Sequence, residues 1–223
     1  MIKLLLILLI AANLSATSFS KSKKILLKKV YHDHKETFYC KNPYEIKVVN
    51  GKEKALIIKD DKYYTPRNEL TKKGKVNVRA LRVEWEHIVP AENFGRQLDC
   101  WKQGGRKACK KDPVFRVMEA DMMNLVPAIG EVNGDRSNYR YGFDEPKKGM
   151  YGACNFEVDF KGRKAFIDPT LRGFVARTYL YMHDKYGMSL SERDKKQFAI
   201  WDKQYPANEW EIEREKRILK FQH

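Results

Sequence analysis

The feature that most constrains the fold of this 223-residue chain is its set of four cysteines, because they follow a segment with the pattern of an export signal. The chain begins with a short basic segment, residues 1–3, then an unbroken apolar run, residues 4–12, and a small polar stretch that ends at Ser20. This order is typical of a secretory signal peptide. The apolar run falls short of the roughly 20 residues that a membrane-spanning helix needs. We therefore expect residues 1–20 to be removed and residues 21–223 to form the mature protein.

Export places the protein in the periplasm or outside the cell. The sequence allows more than one position of signal cleavage. Ala16, Ser18 and Ser20 are each small enough to precede the cleaved bond. Removal of the signal deletes one lysine and lowers the formal net charge of +15 by one. We expect no stable insertion into the membrane afterwards.

The cysteines of an exported protein are expected to pair, because these compartments are oxidising. Four cysteines allow three connectivities. Cys100 and Cys109 bracket a short polar segment, which makes them the favoured pair and leaves Cys40 with Cys154. A zinc site is the alternative, but the chain has no Cys-x-x-Cys pair and no histidine at ligand spacing. We expect two disulfides, each contributing roughly 2 to 5 kcal/mol.

Composition and charge narrow the class of protein further. The chain is 43% hydrophobic and 12% aromatic, which is enough to bury a core and excludes a disordered or collagen-like chain. No repeat or long linker divides it, so we predict one domain. The 44 basic residues outnumber the 29 acidic ones, which indicates a polyanionic partner such as nucleic acid. Basic residues concentrate in segments 102–116 and 161–164, both near aromatic residues.

The front of the mature chain predicts irregular and strand-rich structure after one helix. Residues 21–30 are amphipathic and favour a helix. Residues 44–59 alternate in part around an Asn-Gly pair, which predicts a hairpin. Residues 76–89 alternate with one change of phase, which predicts an interrupted strand, and Pro90 ends it.

The last third of the chain is helical in pattern. Apolar residues at helical spacing lead to Gly187, a second helical stretch follows Ser191, and residues 208–221 suggest a third helix. The sequence therefore predicts a mixed chain with its helices concentrated at the C-terminal end.

The first chemically suggestive cluster surrounds His87. Glu84 and Glu86 lie within three residues of this histidine, and Pro90 follows it. Successive side chains of a strand point to opposite faces, so Glu86 and His87 serve one cleft only if the strand ends or twists there. Pro90 favours such an ending. A buried histidine bonded to a backbone carbonyl is the alternative interpretation.

The second cluster is the segment 121–138. Pro127 suits the first turn of a helix. Asn124 and Asn133 would point to opposite sides of one continuous helix, so we expect Asn124 to precede it. A glycine-rich turn with capping asparagines is the alternative. On a helix, four small or polar residues would share a face: Gly130, Asn133, Gly134 and Ser137.

Together these motifs resemble the bacterial endonuclease I family. The resemblance is carried by Glu-His-Ile-Val-Pro-Ala at 86–91, Gly-Gly-Arg-Lys at 104–107, Asp-x-x-Asn-Leu-x-Pro at 121–127, Gly-Glu-Val-Asn-Gly-Asp-Arg-Ser-Asn at 130–138 and Val-Asp-Phe at 158–160. It implies a secreted or periplasmic nuclease with a single α+β domain, a ββα-metal (His-Me finger) active site and a helical C-terminal part.

The resemblance also assigns a role to individual residues. His87 matches the general base that activates the attacking water. Glu86 and Asn133 match the two protein ligands of a single Mg²⁺. Arg106 matches the arginine that holds the cleaved phosphate, and Asn124 matches the asparagine that supports the geometry of the finger.

These roles imply hydrolysis of phosphodiester bonds to 5′-phosphate ends. Mg²⁺ favours oxygen ligands, and a histidine with a pKa near 6.5 is mostly neutral at neutral pH. The chain carries no base-reading motif, so we expect largely sequence-independent cleavage of DNA through its phosphates. The resemblance extends this expectation to RNA, and we expect a monomer.

Two functions of other classes remain as alternatives. A basic exported protein can bind DNA without cutting it, in which case binding is independent of metal. A basic envelope protein can bind anionic lipid, and residues 21–29 are the best segment for this.

Overall fold

The structure is a computed structural model that describes residues 18–222. Nearly all of the expected signal peptide lies outside these residues, so its removal stays a prediction. The helices are α1 (Phe19–Ile25), α2 (Ala91–Gly95), α3 (Asp99–Lys102), α4 (Gly105–Cys109), α5 (Pro113–Ala120), α6 (Gly130–Arg136), α7 (Arg172–Tyr186), α8 (Glu192–Gln204) and α9 (Glu209–Leu219). The strands are β1 (Tyr44–Val49), β2 (Lys52–Ile57), β3 (Val83–His87), β4 (Leu125–Ile129), β5 (Arg140–Tyr141), β6 (Phe156–Asp159) and β7 (Lys164–Ile167). This mixture confirms the α+β class with helices at the C-terminal end.

Three small sheets carry the strands. β1 pairs with β2, β3 pairs with β4, and the third sheet has the order β5-β7-β6. The predicted hairpin is confirmed: β1 and β2 run antiparallel, and Asn50 and Gly51 join them with φ angles of 52° and 71°. Positive φ at both positions is what a two-residue hairpin turn requires.

The strand predicted over residues 76–89 is shorter than expected. Only Val83–His87 forms β3, and the residues before it form turns in which Ala80 N–H donates to the carbonyl of Asn77. The change of phase therefore marks the end of a turn rather than a break within a strand. Pro90 lies three residues after His87, the last residue of β3, and immediately precedes α2.

The prediction that Pro127 opens a helix is wrong. Pro127 lies in the buried strand β4, opposite Trp85 of β3. β4 pairs with a single strand, so a residue without an N–H group is tolerated at this edge position. The helix begins three residues later as α6, and it does begin between Asn124 and Asn133, as the nine-residue gap predicted.

The three C-terminal helices are confirmed. α7 ends at Gly187, whose φ of 64° is left-handed. Ser191 caps α8 and Asn208 caps α9, each accepting a hydrogen bond from a backbone N–H of the first turn. Within residues 18–222, none of the helices combines the length and apolar character needed to span a bilayer.

Both expected disulfides are present. One joins Cys40 to Cys154, 114 residues apart in the chain, and the other joins Cys100 to Cys109 across nine. The long-range bridge ties the N-terminal region to the segment just before β6. Cys40, Cys154 and Cys109 all belong to the main core.

The two bridges should differ in their effect on stability. A disulfide that closes a longer loop removes more entropy from the unfolded chain. We expect the Cys40→Ala/Cys154→Ala variant to lose about 5 kcal/mol of unfolding free energy and the Cys100→Ala/Cys109→Ala variant about 3 kcal/mol. Urea denaturation of both variants measures the difference. An equal or reversed order would contradict the loop-closure explanation for this fold.

Candidate active site

The end of β3 brings Glu86 and His87 to one cleft. They are the last two residues of the strand, and both line the same open cleft, with a volume of about 790 Å³. At this end of the strand two backbone carbonyls bind a side chain rather than another strand. Arg136 donates to the carbonyl of His87 at 2.8 Å and to that of Ile88 at 2.6 Å. The expected strand ending is therefore present.

Asn124 does not line the cleft but braces the chain beside it. Its side chain is fully buried, and its Oδ1 accepts a hydrogen bond from Val89 N–H at 2.7 Å. Its Nδ2 donates to the carbonyl of Val89 at 3.0 Å. One amide side chain therefore pairs with the backbone as a strand would, just beyond the end of β3.

Asn133 and Arg106 reach the cleft from two other parts of the chain. Asn133 lies on α6, which follows β4, and Arg106 lies on the short helix α4. Gly104 and Gly105 precede Arg106 with φ angles of 145° and 61°, which L side chains rarely adopt. The Gly-Gly pair thus makes the sharp turn that starts α4. The structure brings together Glu86, His87, Arg106 and Asn133.

His87 is held in one tautomer by a backbone carbonyl. Its Nε2 lies 2.8 Å from the carbonyl oxygen of Glu119, and a carbonyl only accepts, so Nε2 carries the proton. Nδ1 is therefore the basic nitrogen. The pKa of the imidazole is lowered to about 4, chiefly by burial and also by the nearby charges of Arg106, Arg136 and Lys23, although the bond to Glu119 opposes the shift. The ring is neutral at neutral pH.

Arg106 shares its anchor with the histidine. Its Nε donates to Oε1 of Glu119 at 2.8 Å, and its Nη2 lies 2.7 Å from the same oxygen. Glu119 thus positions His87 with its backbone and Arg106 with its carboxylate. The Arg106 side chain remains 47% exposed, and its Nη1 makes no hydrogen bond to any of residues 18–222. It retains donors for a ligand in the cleft.

Glu86 is a buried carboxylate with one oxygen already bound. Oε1 accepts a hydrogen bond from Tyr39 Oη at 2.9 Å and lies 3.0 Å from Arg136 Nη1. Oε2 accepts no hydrogen bond from the described part of the chain. Burial raises the pKa of Glu86 to about 6, although Arg136 and Tyr39 oppose this shift. A cation near Oε2 would offset the cost of burying the ionised carboxylate.

Asn133 is oriented by a second carboxylate. Its Nδ2 donates to Oε2 of Glu84 at 3.1 Å, which leaves its Oδ1 without a donor among residues 18–222. Glu84 in turn accepts hydrogen bonds from Arg79 and Arg82. These two arginines hold the pKa of Glu84 below its usual value against the opposing effect of burial. Both carboxylate oxygens of Glu84 are therefore occupied, whereas Glu86 pairs with Arg136 through Oε1 and keeps Oε2 without a donor among residues 18–222.

The donor set of the cleft fits a hard divalent cation. Glu86 Oε2 and Asn133 Oδ1 are a carboxylate and an amide oxygen without hydrogen-bond donors in the described chain, and both residues line the cleft. Mg²⁺ prefers oxygen ligands and keeps several waters, so two protein oxygens suffice to hold it. No group of three or more His, Cys, Asp or Glu side chains is placed to hold a metal within residues 18–222.

Comparison with known proteins identifies the family. The sequence profile of Endonuclease I matches residues 17–223. The chain belongs to the Endonuclease I family. It is 46% identical over 210 residues to the periplasmic deoxyribonuclease of Aeromonas hydrophila, covering 93% of this chain and 83% of that protein. An extracellular deoxyribonuclease of the same species is 44% identical over 227 residues, covering 100% of this chain and 93% of the relative.

A third relative, Endonuclease-1 of Buchnera aphidicola subsp. Acyrthosiphon pisum, is 51% identical over 144 residues, covering 65% of this chain and 58% of that protein. As a member of the family the chain is an endonuclease, and hence a hydrolase. The names of the two Aeromonas relatives and the two disulfides confirm the expected periplasmic or extracellular location.

Sequence reasoning missed two residues that organise the site of this endonuclease. Arg136 is fully buried and binds Glu86 and two carbonyls, and Glu119 holds both His87 and Arg106. Arg136 lies three residues after Asn133, within a quoted motif, but nothing in the sequence indicates that it is buried. Glu119 acts partly through its carbonyl, and a backbone group carries no sequence signal.

Loss of Arg136 should destabilise the endonuclease strongly. Arg136→Met leaves the buried carboxylate of Glu86 without its charged partner and two carbonyls without their donor. Removing one member of a buried ion pair costs about 3 to 5 kcal/mol. Arg96→Met is the control, because that side chain is 68% exposed and pairs only with Glu92, so its loss should cost less than about 1 kcal/mol. Equal urea midpoints for the two variants would show that Arg136 does not hold Glu86.

Proposed function

We propose that this endonuclease is a Mg²⁺-dependent, largely sequence-independent nuclease that hydrolyses DNA to 5′-phosphate and 3′-hydroxyl ends. The observation that carries the proposal is the convergence of His87, Glu86, Asn133 and Arg106 on one cleft from three separate elements. A base, two oxygen donors for a cation and a guanidinium for an anion are the groups that phosphodiester hydrolysis requires.

The local topology supports a ββα-metal, or His-Me finger, active site. β3 and β4 are antiparallel, and α6 follows β4 directly. The proposed base lies at the end of the first strand, and one proposed ligand lies on the helix. Asn124 fits the supporting role, because its side chain bonds both backbone groups of Val89.

His87 is well placed to take a proton from the attacking water. The bond from Nε2 to Glu119 leaves the Nδ1 lone pair as the only basic position on the ring. The low pKa keeps the ring unprotonated at neutral pH. The water oxygen then bonds to phosphorus, the bond to the 3′-oxygen breaks, and the 3′-oxygen takes up a proton from solvent.

Positive charge in the cleft offsets the charge that develops on the phosphate. Mg²⁺ held by Glu86 and Asn133 would supply it beside the scissile bond. Arg106 holds the cleaved phosphate through the donors that Glu119 leaves free. A group that binds the charge developing in the transition state accelerates the reaction more than a group that binds only the substrate.

DNA is the proposed substrate because the two Aeromonas relatives are named deoxyribonucleases and because the chain is strongly basic. Binding through phosphates is largely independent of sequence. The proposed range includes RNA, on the family resemblance alone. The two alternatives from the sequence, a non-catalytic DNA-binding protein and a lipid-binding envelope protein, do not fit membership of an endonuclease family.

The first test is nicking of supercoiled plasmid with Mg²⁺ or with EDTA. We expect the wild type to nick only with Mg²⁺, and His87→Ala to lose about 10² to 10⁴ in rate because the base is gone. His32→Ala is the control, since this exposed histidine lies outside the cleft. Nicking that persists in EDTA would contradict the proposed Mg²⁺ requirement, and an active His87→Ala protein would exclude this base.

The metal ligands and the phosphate contact should give different responses. We expect Glu86→Gln and Asn133→Ala to raise the half-saturating Mg²⁺ concentration about tenfold or more, because each removes a cation ligand. Arg106→Ala should lower the rate about a hundredfold with an unchanged Mg²⁺ requirement. Lys107→Ala is the matched control, since its exposed side chain does not line the cleft. A Mg²⁺ curve unchanged in Asn133→Ala would remove this residue from the proposed site.

A further inference from the structure

Helix α1 contributes two side chains to the cleft, although nothing in the sequence motifs pointed to it. Phe19, its first residue, lies with its ring centre 5.0 Å from that of His87, at 33° to the imidazole plane. Lys23 follows four residues later, on the same face of the helix. Both residues line the same cleft as His87.

α1 is fixed to the element that holds the imidazole. Ser22 Oγ donates to the carbonyl of Ala120 at 2.6 Å, and Ser22 is fully buried. Ala120 is the last residue of α5 and follows Glu119, whose carbonyl accepts from His87. Leu26, just after α1, is buried in the smaller core cluster. The position of Phe19 over the imidazole is therefore set by packing and by a buried hydrogen bond.

Two aromatic rings lie close to the imidazole. Phe94 is on α2, with its ring centre 6.3 Å from that of His87 at 59°, and Phe19 is the nearer ring. One hydrogen bond at Nε2 fixes the tautomer but leaves the ring plane free to tilt about that bond. Phe19 and Phe94 restrict this tilt, and so they fix the direction of Nδ1.

Lys23 is a cation with no carboxylate partner. Its ammonium lies 4.6 Å from the Phe19 ring centre, and it forms no ion pair within residues 18–222. Glu84 and Glu119, which also approach the cleft, already pair with arginines. The Lys23 charge is therefore available to a substrate phosphate.

We propose that α1 forms a wall of the active site, with Phe19 as a positioning residue for His87 and Lys23 as a contact for a backbone phosphate of the substrate. This inference rests on the proposed nuclease function.

The proposal also limits where the signal peptide is cleaved. Cleavage after Ser20, the boundary expected from the sequence, would remove Phe19 from the mature protein. Cleavage after Ala16 retains Phe19 and also Ser18, which caps α1 by accepting a hydrogen bond from Lys21 N–H at 3.2 Å. We therefore expect the mature protein to begin at or before Phe19.

The test is the steady-state kinetics of four single-residue variants of the exported, processed protein. Phe19→Ala should lower kcat about ten- to a hundredfold with little change in KM, because the base loses its alignment. Phe19→Leu, which keeps an apolar cover, should recover most of this loss. Lys23→Ala should raise KM severalfold. It should also reduce the slope of log KM against log salt concentration by about the amount that one phosphate contact contributes. Lys24→Ala is the control, since its exposed side chain does not line the cleft.

Each result decides one part of the proposal. Wild-type kcat in Phe19→Ala would overturn the positioning role, and unchanged KM and salt dependence in Lys23→Ala would overturn the phosphate contact. A loss in Phe19→Ala that Phe19→Leu does not recover, accompanied by a lower urea midpoint, would show a purely structural role and also overturn it. A fully active mature protein beginning at Lys21, identified by mass spectrometry, would contradict the cleavage limit. Failure of the proposed function itself is distinct, because the wild type would then show no nicking.

Discussion

The guanidinium of Arg136 connects the three parts of the candidate site. It is fully buried, and it binds the carboxylate of Glu86 and the carbonyls of His87 and Ile88. Because Arg136 lies on α6, one turn after Asn133, these bonds fix the helix relative to the end of β3. The position of Asn133 relative to Glu86 and His87 therefore depends on this side chain, together with the backbone bonds that the first two residues of α6 donate to the carbonyls of Arg82 and Arg79. Burying a cation is costly, and the carboxylate and carbonyls that surround it offset the cost.

Most acidic residues at the cleft form ion pairs with arginines of the same chain. Glu84 pairs with Arg79 and Arg82, and Glu119 pairs with Arg106. Glu86 pairs with Arg136 through Oε1 but keeps Oε2 without a donor in the described chain, and it lines a cleft that also receives Lys23. The proposed phosphate contacts and the proposed cation site therefore occupy different parts of the cleft. A chain with a net charge of +15 does not by itself produce such a pattern, so the pattern is more informative than the charge.

The sequence predicted the elements whose signals are local. The hairpin around the Asn-Gly pair and the three helices placed before Gly187, after Ser191 and over residues 208–221 each depend on signals within a few residues, and each prediction is confirmed. Pro127 was misassigned because its missing N–H is acceptable both in the first turn of a helix and in an edge strand, and tertiary pairing with β3 decided between them.

The convergence of the site was predicted only through the family resemblance, since its members come from distant segments. The supporting groups were harder still to predict. Glu119 acts through a backbone carbonyl, Arg136 is a buried arginine, and Phe19 falls where the sequence indicates a signal peptide. None of these has a composition or spacing that distinguishes it from an ordinary residue. Such groups are recognised only once the fold shows what they contact.

The shorter disulfide connects export with the site. Arg106 lies within the nine-residue span between Cys100 and Cys109, on a helix that ends at the second cysteine. A loop this short gains modest global stability from cross-linking, but its ends are held together where Arg106 must meet Glu119. In a reducing compartment the bridge would open, and the glycines before Arg106 would leave the loop with more conformational freedom. The phosphate contact is therefore best ordered where the disulfide forms, which is the same compartment that export reaches.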